Sequence, residues 1–157
     1  MRINKSINSF AAVYAPLLAA LLLFGSATTV AASDPTTVSV VGCSLRGGAV
    51  EVEGGTEIVL RSGWGATNRG LVEAFLNGGG RLILTVDGDV VDLSDFISTP
   101  QEVGGNWFVF FVYPAGILDS GDSMEVSFEV VIDHIWYDGE TLFDPQTFVF
   151  ACTVTAA

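Results

Sequence analysis

The chain predicts an all-β protein, an antiparallel, immunoglobulin-like β-sandwich of seven or eight short strands with one short helix. Three observations carry that expectation. From Ser123 to Ile135, Met124, Val126, Phe128, Val130 and Ile132 alternate with Glu125, Ser127, Glu129 and Asp133, the period of a half-buried strand. Glycine- and aspartate-rich pairs such as Gly47-Gly48, Gly54-Gly55, Asp87-Gly88 and Asp138-Gly139 punctuate the chain at short intervals. Cys43 and Cys152, the two cysteines, lie near opposite ends of the part that folds.

That part begins after an export signal. Arg2 and Lys5 precede an apolar run from Phe10 to Phe24, and small residues lead into Val30-Ala31-Ala32. The pattern predicts a secretory signal at 1–32, cleaved before Ser33. The apolar core of about 15 residues is short of the roughly 20 needed to cross a bilayer. Val40-Val41-Gly42-Cys43 loosely resembles a lipidation box but stands too far from the apolar run to serve as one. Residues 33–157 then form a single domain, large enough to bury a core.

Thr37 to Val41 reads as the opening strand, ending near Cys43, and Ala49 to Glu53 as the second. Thr56 to Ser62 places Ile58 and Leu60 on one face and Glu57 and Arg61 on the other. Residues 68–77 break this rhythm. Leu71, Val72, Phe75 and Leu76 share a helical face, Thr67 or Asn68 can cap its start, and Gly78 can end it with positive φ. Arg81 to Val86 and Asp89 to Leu93 flank Asp87-Gly88, a hairpin signal. Residues 92–103 are polar and irregular. Trp107 to Val112 is a continuous apolar run, expected to be buried on both faces. Gln146 to Thr155 closes the fold with Phe148, Phe150, Cys152 and Val154 on one face.

Export places the cysteines where disulfides persist, and two cysteines permit one intramolecular pairing, Cys43–Cys152. Such a bridge would require the first and last strands to be neighbours. The immunoglobulin-like description is architectural: two cysteines spaced around a core tryptophan, the mark of true immunoglobulin domains, are absent. A jelly roll or small barrel is the structural alternative.

After cleavage the chain holds four arginines, no lysine and eighteen acids, a net charge of −14. So negative a surface disfavours nucleic acid and anionic membrane as partners. Chemistry-bearing candidates are sparse. His134 is the one histidine, and its neighbour Asp133 points to the opposite face of a strand, so a nucleophilic triad is not expected. The chain therefore reads as no enzyme. Asp87, Asp89, Asp92 and Asp95 crowd one hairpin and its exit, a candidate calcium site without the spacing of an EF-hand; no other cofactor is suggested. Asp119 with Asp122, and Asp138 with Glu140 and Asp144, are looser clusters. Trp136, Tyr137 and Asp138 meet at a loop where a ring could stack on a sugar, whereas Trp64, Trp107 and Tyr113 read as packing residues. The function expected is a non-catalytic extracellular or cell-surface module, structural or adhesive, that binds a protein. A glycan- or calcium-binding module is the alternative, and a small hydrolase a distant third. Self-assembly is left open.

Overall fold

Two rows of alternating apolar side chains, one from each of two sheets, meet in one core in the computed structural model, which describes residues 34–157. The expected signal at 1–32 lies outside the described residues. In chain order the strands are β1 Thr36–Ser39, β2 Ala49–Val52, β3 Thr56–Ala66, β4 Gly80–Val86, β5 Asp89–Val91, β6 Gln101–Val103, β7 Asn106–Leu118, β8 Ser123–Ile132, β9 Trp136–Tyr137, β10 Leu142–Phe143 and β11 Gln146–Ala156. Among the described residues two helical segments interrupt them, α1 Val40–Leu45 and α2 Arg69–Ala74, the latter running into a single π turn at Phe75–Gly79. Among the described residues no helix is long and apolar enough to cross a membrane.

One sheet has the order β1-β3-β7-β6 and the other β2-β11-β8-β4-β5; β9 and β10 form a separate hairpin. The long strands behave as their alternation predicts. Met124, Val126, Phe128, Val130 and Ile132 of β8 are all buried, and so are Phe150, Cys152 and Val154 of β11. They face Ile58, Leu60, Trp64, Val109 and Phe111 from the other sheet, with Phe111 and Phe128 ring centroids 5.1 Å apart. The continuous run on β7 is buried on both faces from Phe108 to Phe111, while Trp107 is half-buried and Val112 is exposed. On the outer side, Phe108 and Phe110 lie over Gly65 and Gly63 of β3, where any Cβ would collide with the Phe108 ring or the Val109 carbonyl. The Arg61 guanidinium covers Phe110 at 4.4 Å.

Three expectations are corrected. The sheets are mixed rather than antiparallel: β1 runs parallel to β3, and β2 parallel to β11. The strand expected through Val41 ends at Ser39, and Val40–Leu45 is helical. Ser39 caps that turn, its Oγ accepting the Gly42 N–H at 3.1 Å, and Val40, Val41, Gly42 and Cys43 are all buried. Burial on every side of a short turn overrides the strand preference of two valines. Finally, the first strand does not adjoin the last: β1 lies in the opposite sheet, and β2 is the neighbour of β11. The bridge still forms, because it reaches from α1 rather than from a strand. Cys43 and Cys152 are joined with Cα atoms 5.7 Å apart, and each is 2% exposed. Buried in this bond, Cys43 is not a lipid carrier.

The predicted helix at 68–77 is present as α2 and the π turn that continues it. The Asn68 side chain accepts the Leu71 N–H at 3.0 Å, Val72 and Phe75 are fully buried, and Gly78 has φ 131°. Among the described residues eleven strands replace seven or eight: β5 is present at Asp89–Val91, where a return strand is expected, and the additional β6, β9 and β10 are two or three residues long, too short to show periodicity.

Candidate functional site

The β9–β10 hairpin gathers the most distinctive surface. Its register sets Leu142 opposite Tyr137 and Phe143 opposite Trp136, and directly opposed residues share a face. One face therefore turns inward. Phe143 is 5% exposed, and Trp136 packs over Gly79, where a Cβ would strike its indole, and edge-on against Phe75 at 5.8 Å. Beneath them Trp64 stacks on Phe75 at 5.1 Å and meets Phe143 edge-on at 5.8 Å. Trp64 pins the helical segment to the sheet in this way. The indole N–H groups of Trp64 and Trp136 are buried without a hydrogen-bond partner. Each such donor costs about 1–3 kcal/mol, so these rings are held by packing against the cost of their polar ends.

The opposite face turns out. Tyr137 is 51% exposed, Leu142 66%, and Ile135, two residues before Tyr137, 64%. The loop between the strands is rigidly tied. Asp138 is buried, and its Oδ1 accepts the N–H groups of Glu140 at 2.8 Å and Thr141 at 2.7 Å. Its carbonyl accepts from both the N–H and the hydroxyl of Thr67, at the end of β3. Gly139 has φ 105°, and a Cβ there would overlap the Thr67 hydroxyl. The Tyr137 hydroxyl donates to the Gly139 carbonyl at 2.5 Å. Of the three residues proposed from sequence for sugar stacking, then, Trp136 packs inward, Asp138 spends its carboxylate on its own loop, and Tyr137 alone is displayed.

At the start of the same connection Asp133 meets Arg81 through two contacts of 3.2 Å, Nε to Oδ2 and Nη2 to Oδ1. The Arg81 hydrogen bond holds the Asp133 carboxyl below the usual aspartate range, and the same bond raises the Arg81 guanidinium. His134 places Nε2 2.8 Å from the Gly78 carbonyl; an oxygen there can only accept, so Nε2 carries the proton. Asp133 and His134 thus face separate partners, and their contacts do not build an acid–base–nucleophile set.

The aspartates of the β4–β5 hairpin do not converge. Asp87, with φ 50°, accepts the Glu125 N–H at 2.7 Å through Oδ1, tying the turn to β8. Asp92 accepts the Ser94 N–H at 2.9 Å, which lowers its carboxyl's titration. Asp89 and Asp95 are exposed. Among the described residues no group of three or more histidine, cysteine, aspartate or glutamate side chains could hold a metal ion.

Sequence reasoning singled out Tyr137 but missed Ile135 and Leu142. The signal was available: Asp138-Gly139 marks the turn, and alternation on either side of it sets Trp136 and Phe143 against Tyr137 and Leu142. Searches against known protein families, curated proteins and solved structures find no match for the chain.

Proposed function

We propose that this protein is an exported, non-catalytic, immunoglobulin-like module, released by cleavage after Ala32, that binds another protein outside the cell through the outer face of the β9–β10 hairpin. One observation carries the reading: Tyr137 and Leu142, half to two-thirds exposed, oppose one another on a short hairpin whose turn is tightly hydrogen-bonded, and Ile135, 64% exposed, lies two residues before Tyr137. Exposed apolar clusters on rigid supports are what binding surfaces require, because little conformational entropy is lost on docking. The buried Cys43–Cys152 bond supports the extracellular setting. A protein partner suits this face better than a sugar, since the tryptophan that would offer a stacking plane is turned into the core.

The test is a photo-cross-linking amino acid at position 142, with the full chain expressed in the cells that produce it. A discrete adduct of a second protein, formed in the extracellular fraction and lost when the cross-linker is moved to position 90, supports the reading. Cross-linking at neither position 142 nor position 137 overturns it. An N-terminus that does not begin at Ser33 overturns the export element alone.

A further inference from the structure

We propose that the partner of the β9–β10 face presents an apolar centre ringed by lysine or arginine, and is not a second copy of this chain. The proposal takes the protein-binding reading above as given and adds the partner's chemistry. It rests on what surrounds the apolar trio. From Asp133 to Asp144 the chain carries four carboxylates, one histidine and no lysine or arginine. Asp138 is turned into its loop and Asp133 is held by Arg81, which leaves Glu140 and Asp144 exposed at the rim. The layout is an apolar middle with a negative edge. Affinity in such a contact comes from the desolvated centre, while rim charges select the partner and speed its approach. Charges act over about 8 Å at physiological salt, so the rim and the rest of this acidic surface reinforce one another near the hairpin.

The same reasoning disfavours self-pairing. A twofold contact would set each patch against its own copy and bring Glu140 and Asp144 against like charges. A head-to-tail contact would need cations from elsewhere on the chain. All four arginines of the described residues are engaged: Arg46 Nε donates to the Gly42 carbonyl at 3.0 Å, Arg61 lies over Phe110, Arg69 pairs with Glu73 at 2.7 Å, and Arg81 with Asp133. Among the described residues, a second copy therefore has no arginine outside such a contact to offer.

The experiment uses the disulfide-bonded chain from Ser33 and three synthetic peptides: an amphipathic leucine–lysine helix, the same composition scrambled so that no apolar face forms, and the amphipathic peptide with glutamate in place of lysine. Binding is read by calorimetry and located by amide chemical shifts. The expected result is binding of the leucine–lysine peptide, with shifts confined to residues 133–144. Its affinity should fall about tenfold or more in Ile135→Ser/Leu142→Ser and likewise between low and moderate salt. Val90→Ser should change nothing: that residue is 73% exposed, also among aspartates, but on β5. Well-dispersed spectra of each variant show that it folds. Equal binding of the glutamate or the scrambled peptide overturns the proposal, as does equal loss in Val90→Ser. Dimerisation of the protein alone that Leu142→Ser abolishes overturns it in favour of a second copy. If the leucine–lysine peptide fails while the cross-linker at position 142 still captures a protein, the cationic rim is wrong and protein binding stands. If both fail, both readings fall.

Discussion

Replacing Cys43 and Cys152 together by alanine tests how the margins of this fold are held. The bond closes a sequence separation of 109 residues. In the chain-entropy account, releasing a loop of that length returns about 4.7 kcal/mol of conformational freedom to the unfolded state. Both side chains are 2% exposed, so alanine also leaves two small voids, and the two effects act in the same direction. Domains of this size are stable by only about 5–15 kcal/mol, which leaves the double variant marginal. With an unfolding entropy of about 2.1 cal/mol/K per residue, the melting temperature should fall by about 15–20 °C. Guanidinium unfolding followed by tryptophan fluorescence measures the free energy, and calorimetry the midpoint. A second signature separates this mechanism from simple loss of packing: the unfolded chain without the bond is more expanded, so the slope of free energy on denaturant should rise. A loss under about 1 kcal/mol, or an unchanged slope, would show that α1 and β11 stay together without the bond and refute the reasoning.

Other expected outcomes follow from single contacts. Gly139→Ala should cost about 3 kcal/mol in chemical unfolding, since positive φ and collision with Thr67 act together; a change within about 0.5 kcal/mol would mean the loop yields freely. Trp64→Ala should cost about 3–5 kcal/mol and release α2 first, seen as faster amide exchange at Val72 and Phe75; uniform exchange would contradict the pinning role. Leu142→Ser should leave stability within about 0.5 kcal/mol, because the side chain is two-thirds exposed. The Arg81–Asp133 pair sets a pH dependence. The folded-state carboxyl titrates below its unfolded value, so its contribution is present above the unfolded value and disappears as pH falls through the folded one. Arg81→Gln should therefore raise the Asp133 midpoint in a carboxyl-carbon NMR titration, and an unmoved midpoint would remove the pair from the account.

Much of the architecture was legible wherever alternation ran long enough. Ser123 to Ile132 and Gln146 to Thr155 could not slip by one residue without exposing Phe128, Val130 and Phe150, so the inward rows were dictated by the residues themselves. The expected export signal and the pair of cysteines made a bond between the ends legible too. Strand direction was not. Whether β2 runs parallel or antiparallel to β11 depends on the path between them, and the four residues of β2 show the same outward pattern either way. At Val40–Leu45 the local preference of Val40 and Val41 pointed to a strand, while the deciding forces were the Ser39 cap and the demand that Cys43 reach β11. Tertiary burial won over propensity there.

The face proposed for binding was half legible for a related reason. A ring beside an aspartate in a loop suggests a sugar platform when each residue is judged by its type. The register of two paired residues reverses that assignment, sending Trp136 in and bringing Tyr137 beside Leu142. A hairpin this short cannot stand alone in water. Trp136 and Phe143 anchor it on Phe75 and Trp64, and Asp138 fastens it to Thr67. So much anchoring on the inner side fixes the geometry of the outer side. Two exposed apolar residues on an anchored strand pair, with a third just before it, need no ordering before contact, whereas the same residues on a loose loop would first have to be ordered. That difference, more than apolar area alone, is the ground on which we propose this hairpin as the part of the molecule that meets a partner.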